Sequence, residues 1–297
     1  MVKLMNLQID NDKLTKALIF YYDRVTVPMP ISFTLVSFGD CWDYESFLRS
    51  IEHLLLAPII DKCYVEMKEN DIHESVLSDV IGRTDVLCIA TQLKDEQEIK
   101  DLQIFVDLAE KNHVFYTTIM LCNEKSRNSQ QEKVVERVKE QVNAVIDLTS
   151  YNSLQVGRID DAASCVVRSI FHACIFKNRI LRIEPEDLRS GIKDHDVALI
   201  SIVRATVHIH NDQYETHAEK ILQAIVEQIS LQQRDLMQAH NVYLVTFCNP
   251  GTLGVSRMSQ FYATMEKIEN NVIVGVIDDA MKDRDVLVVT IASGFER

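Results

Sequence analysis

Two histidines one residue apart, His208 and His210 in the run VHIH, fall on one side of an extended segment, and His217 follows close behind. Imidazoles at that spacing suggest metal-ligand chemistry, but no third ligand is fixed by spacing, so they read as surface side chains and no metal is expected. Asp278, Asp279, Asp283 and Asp285 crowd a second stretch. Without the glycine and terminal glutamate of a calcium loop, they read as a solvated hairpin turn. Two more acidic runs, Gln92-Leu93-Lys94-Asp95-Glu96-Gln97-Glu98 and Glu184-Pro185-Glu186-Asp187-Leu188, have the composition of helix starts. Carboxylates in a first turn are favoured by the helix dipole, and proline suits the first helical position. Serine, cysteine and histidine nowhere form a nucleophile motif, so no self-contained enzyme is expected.

These groups are carried by 297 residues that are 47% hydrophobic with a formal net charge of -13. That length supports two modest domains, each with its own core. The charge disfavours nucleic acid or an anionic membrane as partner. The 7 cysteines form no CxxC pair, and Cys88, Cys122 and Cys248 lie in apolar runs, as reduced core thiols of a cytoplasmic protein would. No run approaches the roughly 18 apolar residues of a membrane span. The N-terminus MVKLMNLQIDNDK lacks the apolar core of a signal peptide, so no membrane insertion is expected.

The first half alternates apolar runs with helical patterns: ISFTLVS (31–37), CYVEM (63–67), DVLCIA (85–90), VFYTTIML (114–121) and NAVIDL (143–148). This predicts a doubly wound α/β domain with a parallel, Rossmann-like sheet over residues 1–157, whose ligands would sit at the carboxyl ends of the strands. Residues 158–178 predict a long central helix, with apolar or small pairs at 162/163, 166/167, 170/171 and 174/175. Residues 179–297 predict a smaller α+β domain with a mixed sheet: strands at 197–203, 242–247, 271–277 and 285–293, the last two forming a hairpin.

An α/β domain, a central helix and a mixed-sheet domain resemble the FtsZ/tubulin superfamily, and the run from Asn241 to Phe295 makes the resemblance specific. Gly251, Gly275 and Gly294 fall where FtsZ has a glycine turn, the strand written VIxG and a terminal TG. The resemblance implies GTP-binding loops rich in glycine, because backbone N–H groups must approach phosphates without Cβ atoms in the way. This chain departs from that pattern twice. The first phosphate loop reads Ser37-Phe38-Gly39-Asp40, followed by Cys41 and Trp42. Where FtsZ has GGGTGTG, it reads Gln92, Leu93, Lys94, Asp95, Glu96 and on to Glu98. Phe38 and Trp42 would fill the vacated pocket or make a sticky surface. The base-contacting PNDxLL becomes Thr149-Ser150-Tyr151-Asn152-Ser153-Leu154. The central-helix aspartate aligns with Ala162, next to Asp160 and Asp161, which remain possible base contacts.

At the other end, the family's catalytic loop NxDxxDV, which reaches into a neighbour's nucleotide pocket, matches Arg182 to Leu188 and keeps two acids, Glu184 and Asp187. The resemblance therefore implies a degenerate, cytoplasmic FtsZ-like protein with no cofactor, partnered by itself or by another FtsZ-like subunit. The alternative it leaves open is a divergent GTPase that still binds GTP between subunits. Because the sequence ends at Arg297, recruitment through an FtsZ-type terminal peptide is not expected.

Overall fold

The computed structural model describes residues 15–22, 33–38, 61–67, 74–123, 126–152, 159–174, 179–181, 183–192, 197–206, 214–248, 263–264, 268, 271–278 and 285–295. The chain opens with strands β1 (Thr15–Tyr22), β2 (Phe33–Phe38) and β3 (Asp61–Met67), then helix α1 (Glu74–Ile81). Strand and helix then alternate through β4 (Val86–Thr91), α2 (Glu96–Lys111), β5 (Tyr116–Leu121), α3 (Ser129–Val138), β6 (Ala144–Asp147) and the short α4 (Leu148–Asn152). The central helix α5 (Ile159–Cys174) leads to β7 (Arg179–Leu181), α6 (Pro185–Gly191), β8 (Val197–Thr206) and α7 (Tyr214–Leu231). Last come β9 (Ala239–Cys248), β10 (Asn271–Asp278) and β11 (Asp285–Phe295).

All of these strands join one sheet of order β3-β1-β2-β4-β5-β6-β8-β11-β9-β10-β7. The expected parallel core is present: β2, β4, β5, β6 and β8 pair in parallel. Strands β2, β4, β5 and β6 are buried along their whole length, as strands covered on both faces must be. One edge differs from the expectation. Strand β1, which the sequence reading overlooked, pairs antiparallel with both β2 and β3, so CYVEM does not touch the parallel core.

The expected hairpin of the last two strands is also corrected. Strand β10 pairs with β9 and β7, whereas β11 lies between β8 and β9, antiparallel to both. The reason is burial: Val286 to Ser293 are all buried, and a strand that apolar needs partners on both edges.

Helix α5 is the predicted central helix. Ala162, Ala163, Val166, Val167, Ile170 and Phe171 are buried in the largest core cluster, the last with its ring 5.1 Å from that of Phe33. Its contacts reach β4 on one side and β11 on the other, so the helix braces both halves of the sheet. Gly275 lies inside β10, where Ile183 packs in the space that a Cβ would take. Gly294 has φ 71 near the end of β11, and Gly251 lies outside the described residues. Cys88, Cys122, Cys165 and Cys248 are buried and form no disulfide. Among the described residues, no helix is long and apolar enough to cross a membrane.

Candidate functional site

The carboxyl ends of β2, β4, β5 and β6 are where a ligand of such a sheet sits. After β4 the backbone turns through Gln92, Leu93 and Lys94 into α2, and Leu93 takes φ 50, a left-handed conformation usually left to glycine. Leucine stands there because its side chain is buried in the core between the sheet and α2. The turn aims three successive N–H groups at one point, a geometry that binds anions.

That point is occupied by the chain itself. The Glu98 carboxylate, only 4% exposed, accepts from Gln92 N (2.7 Å), Leu93 N (3.1 Å), Lys94 N (3.0 Å) and the Thr91 hydroxyl (2.6 Å). Asp95 caps α2 by accepting from Glu98 N at 2.8 Å. The loop carbonyls are held too: Gln131 donates to Leu93 O at 2.8 Å, and Asn123 donates to Gln92 O. The sequence reading named Gln92 to Glu96 as phosphate-loop positions but gave Glu98 no separate role. The available signal was the Asp95-x-x-Glu98 spacing, that of a capping box. Here the glutamate passes the cap amide and binds the loop before it.

The neighbouring positions are closed as well. Phe38, at the end of β2, is buried against Phe105 of α2, with centroids 5.7 Å apart, and offers no sticky surface. Ser37 beside it is buried, with no hydrogen-bond partner for its hydroxyl among the described residues. Gly39, Asp40, Cys41 and Trp42 lie outside the described residues.

At the ends of β5 and β6, Arg127 forks onto Asp147, with N–O distances of 3.1 and 3.2 Å, and its Nε donates to Glu132 at 3.0 Å. Asp147 also accepts from Thr149 N and the Ser150 hydroxyl. Burial opposes the Arg127 charge, but the hydrogen bond and charge of Asp147, with Glu132 behind them, outweigh it and push its pKa above the ordinary arginine value. Thr149, from the expected base-contacting run, is thus taken up in this network. Asp160 and Asp161 lie in the first turn of α5, but their side chains are outside the described residues.

Asp101, one turn beyond Glu98, is fully buried, with one oxygen bonded to Gln97 and the other without a partner. Burial pushes its carboxyl up, helped by Asp95 and Glu98 and opposed by the Gln97 hydrogen bond. A carboxyl raised in the folded state holds more protons folded than unfolded. Its contribution is therefore present at low pH and is lost as pH rises from about 4 through the folded value. Asp101→Asn is expected to remove that decline and to be more stable by about 1 kcal/mol near pH 7, read from urea midpoints at about pH 4 and 7.

Of the catalytic-loop candidates, Asp187 accepts from Glu184 N at 2.7 Å and so holds the start of its own helix. Glu184, at the N-cap of α6, is exposed, and Arg182 lies outside the described residues. One turn on, Arg189 stacks over Phe115 at 5.1 Å, beside a cleft of about 450 Å³ at the amino ends of β5 and β6. Helix α6 therefore reaches the end of the sheet opposite the Glu98 loop. His208, His210, Asp279 and Asp283 lie outside the described residues, as do the side chains of His217 and Asp278. Asp285 accepts from the Thr206 hydroxyl at 2.9 Å. Among the described residues, no group of three His, Cys, Asp or Glu is placed to hold a metal.

No protein-family model matches the chain, and no curated protein sequence does. Solved structures do. An FtsZ mutant from M. jannaschii superposes with a TM-score of 0.59 at 13% identity, covering 75% of this chain and 69% of that one. CetZ2 from Haloferax volcanii, a GTPγS-bound protofilament, gives 0.55 at 11% identity over 76% and 71%. TubZ from Bacillus thuringiensis serovar israelensis, as GDP-form protofilaments, gives 0.51 at 12% identity over 76% and 68%. These likenesses establish the fold: the chain is built like FtsZ and its tubulin-like relatives.

Proposed function

Starting from an FtsZ/tubulin-like fold, we propose that this chain is a cytoplasmic, cytoskeletal-type assembly protein that works without GTP, associating with itself or modulating FtsZ-type filaments. The observation that carries this reading is the Glu98 carboxylate bound by the three loop amides that a phosphate would need. A triphosphate arriving there finds these three amides already taken by Glu98. It also meets Glu98 and Asp95, whose charge repels it.

Self-association is supported by the fold's neighbours, two of which are protofilaments. The two ends of the subunit also differ, with the loop after β4 occupied by Glu98 at one while Glu184 stays exposed at the start of α6 at the other. This asymmetry favours a subunit that docks by its α6 end. A second reading, a divergent GTPase whose Glu184 acts on a neighbour's GTP, draws on the same exposed carboxylate.

Sedimentation of the chain, alone and with an FtsZ, with and without GTP and Mg²⁺, tests the proposal. Association whose extent ignores GTP supports it, and association that appears only with GTP sinks it. The paired variant Glu184→Ala, Asp187→Ala is expected to weaken any effect on FtsZ polymerisation in light scattering. An unchanged effect would discard docking by the α6 end.

A further inference from the structure

We infer that Glu98 is an internal stand-in for an oxyanion, a contact that keeps the loop after β4 in its occupied shape with no ligand bound. The inference rests on the reading above that this site has no GTP, and adds what the loop does instead.

The carboxylate divides its work. Oε1 takes the Thr91 hydroxyl and the Gln92 and Leu93 amides, while Oε2 takes the Lys94 amide. Four donors on one buried anion are more than a helix start requires, since Asp95 already supplies the α2 cap. The remaining feature of the loop, the left-handed Leu93, is what makes three successive amides converge. Without an anion between them, the Leu93 amide, in a residue only 1% exposed, keeps only the Thr91 hydroxyl at 3.0 Å, and the amides beside it lose their partner. The nest thus has a standing demand for negative charge, which Glu98 meets in cis. Lys94, with its exposed side chain, and the positive end of the 16-residue helix α2 add to that demand.

Removing the carboxylate should therefore turn a ligand-independent loop into a ligand-dependent one. In the full-length chain, Glu98→Ala is expected to melt about 5–10 °C below the parent in sodium chloride. Sodium phosphate, and more weakly sodium acetate, at matched ionic strength should restore much of that loss in a saturable way. The parent should gain from phosphate only the small, non-saturating increase that an excluded salt gives any folded protein.

A Glu98→Ala protein as stable as the parent in chloride, or one that phosphate stabilises no more than it stabilises the parent, overturns the inference. If Glu98→Ala does not fold, Glu98→Gln keeps the shape and removes the charge. Its Gln92 to Lys94 amides should then exchange faster than the parent's in chloride and be slowed by phosphate, and unchanged exchange overturns the inference equally. GTP binding by the parent would instead sink the proposed function, so the two failures are told apart.

Discussion

Gly275→Ala is expected to destabilise the chain by about 3 kcal/mol, at the upper end of what one extra methyl does in a packed core. A Cβ at residue 275 would overlap Cγ1 and Cδ1 of Ile183, which is itself buried in the main core cluster. Ile183 cannot retreat freely, because α6 follows it directly and its far end is also closely packed. A Cβ on Gly191 would stand 3.0 Å from Ile273 Cδ1 and 3.2 Å from Tyr243 Cδ2. Denaturant unfolding should show the midpoint shift. Adding Ile183→Ala should recover part of the loss, because the second change removes what the first collides with. Strict additivity of the two changes would show that the close approach is not the cause.

Arg127→Leu is expected to cost about 3–5 kcal/mol, because it strands the buried Asp147 carboxylate without its counter-ion. The double change Arg127→Leu, Asp147→Leu should be far milder than either single change, since no buried charge is then left alone. Chemical denaturation of the four proteins in the cycle checks this. Single changes of less than about 1 kcal/mol would mean that the pair behaves like a surface salt bridge.

Much of the architecture was legible in the sequence because burial on both faces leaves continuous apolar runs, as in β2, β4 and β5, and because paired small and apolar residues repeat through α5. Strand β7, only three residues long, carries too little pattern to be found. The order of β10 and β11 was hidden because neighbours in sequence pair most often, and nothing local marks β11 as central. Gly275 falls in its expected strand, but nothing local announces that its smallness serves Ile183, a side chain from far along the chain. At the site, the scarcity of glycine from Gln92 to Glu98 was plain in the sequence, but the contacts of those residues were not. Glu98 acts through a left-handed turn at Leu93 that no glycine announces, and Arg127 meets Asp147 only because β5 and β6 lie side by side.

Equilibrium dialysis of the full-length chain against GTP and Mg²⁺ tests most directly whether the Glu98 carboxylate keeps nucleotide phosphates off the loop after β4. No saturable binding is expected up to about 1 mM nucleotide, and binding in the micromolar range, worth roughly 8 kcal/mol, would contradict the proposed function.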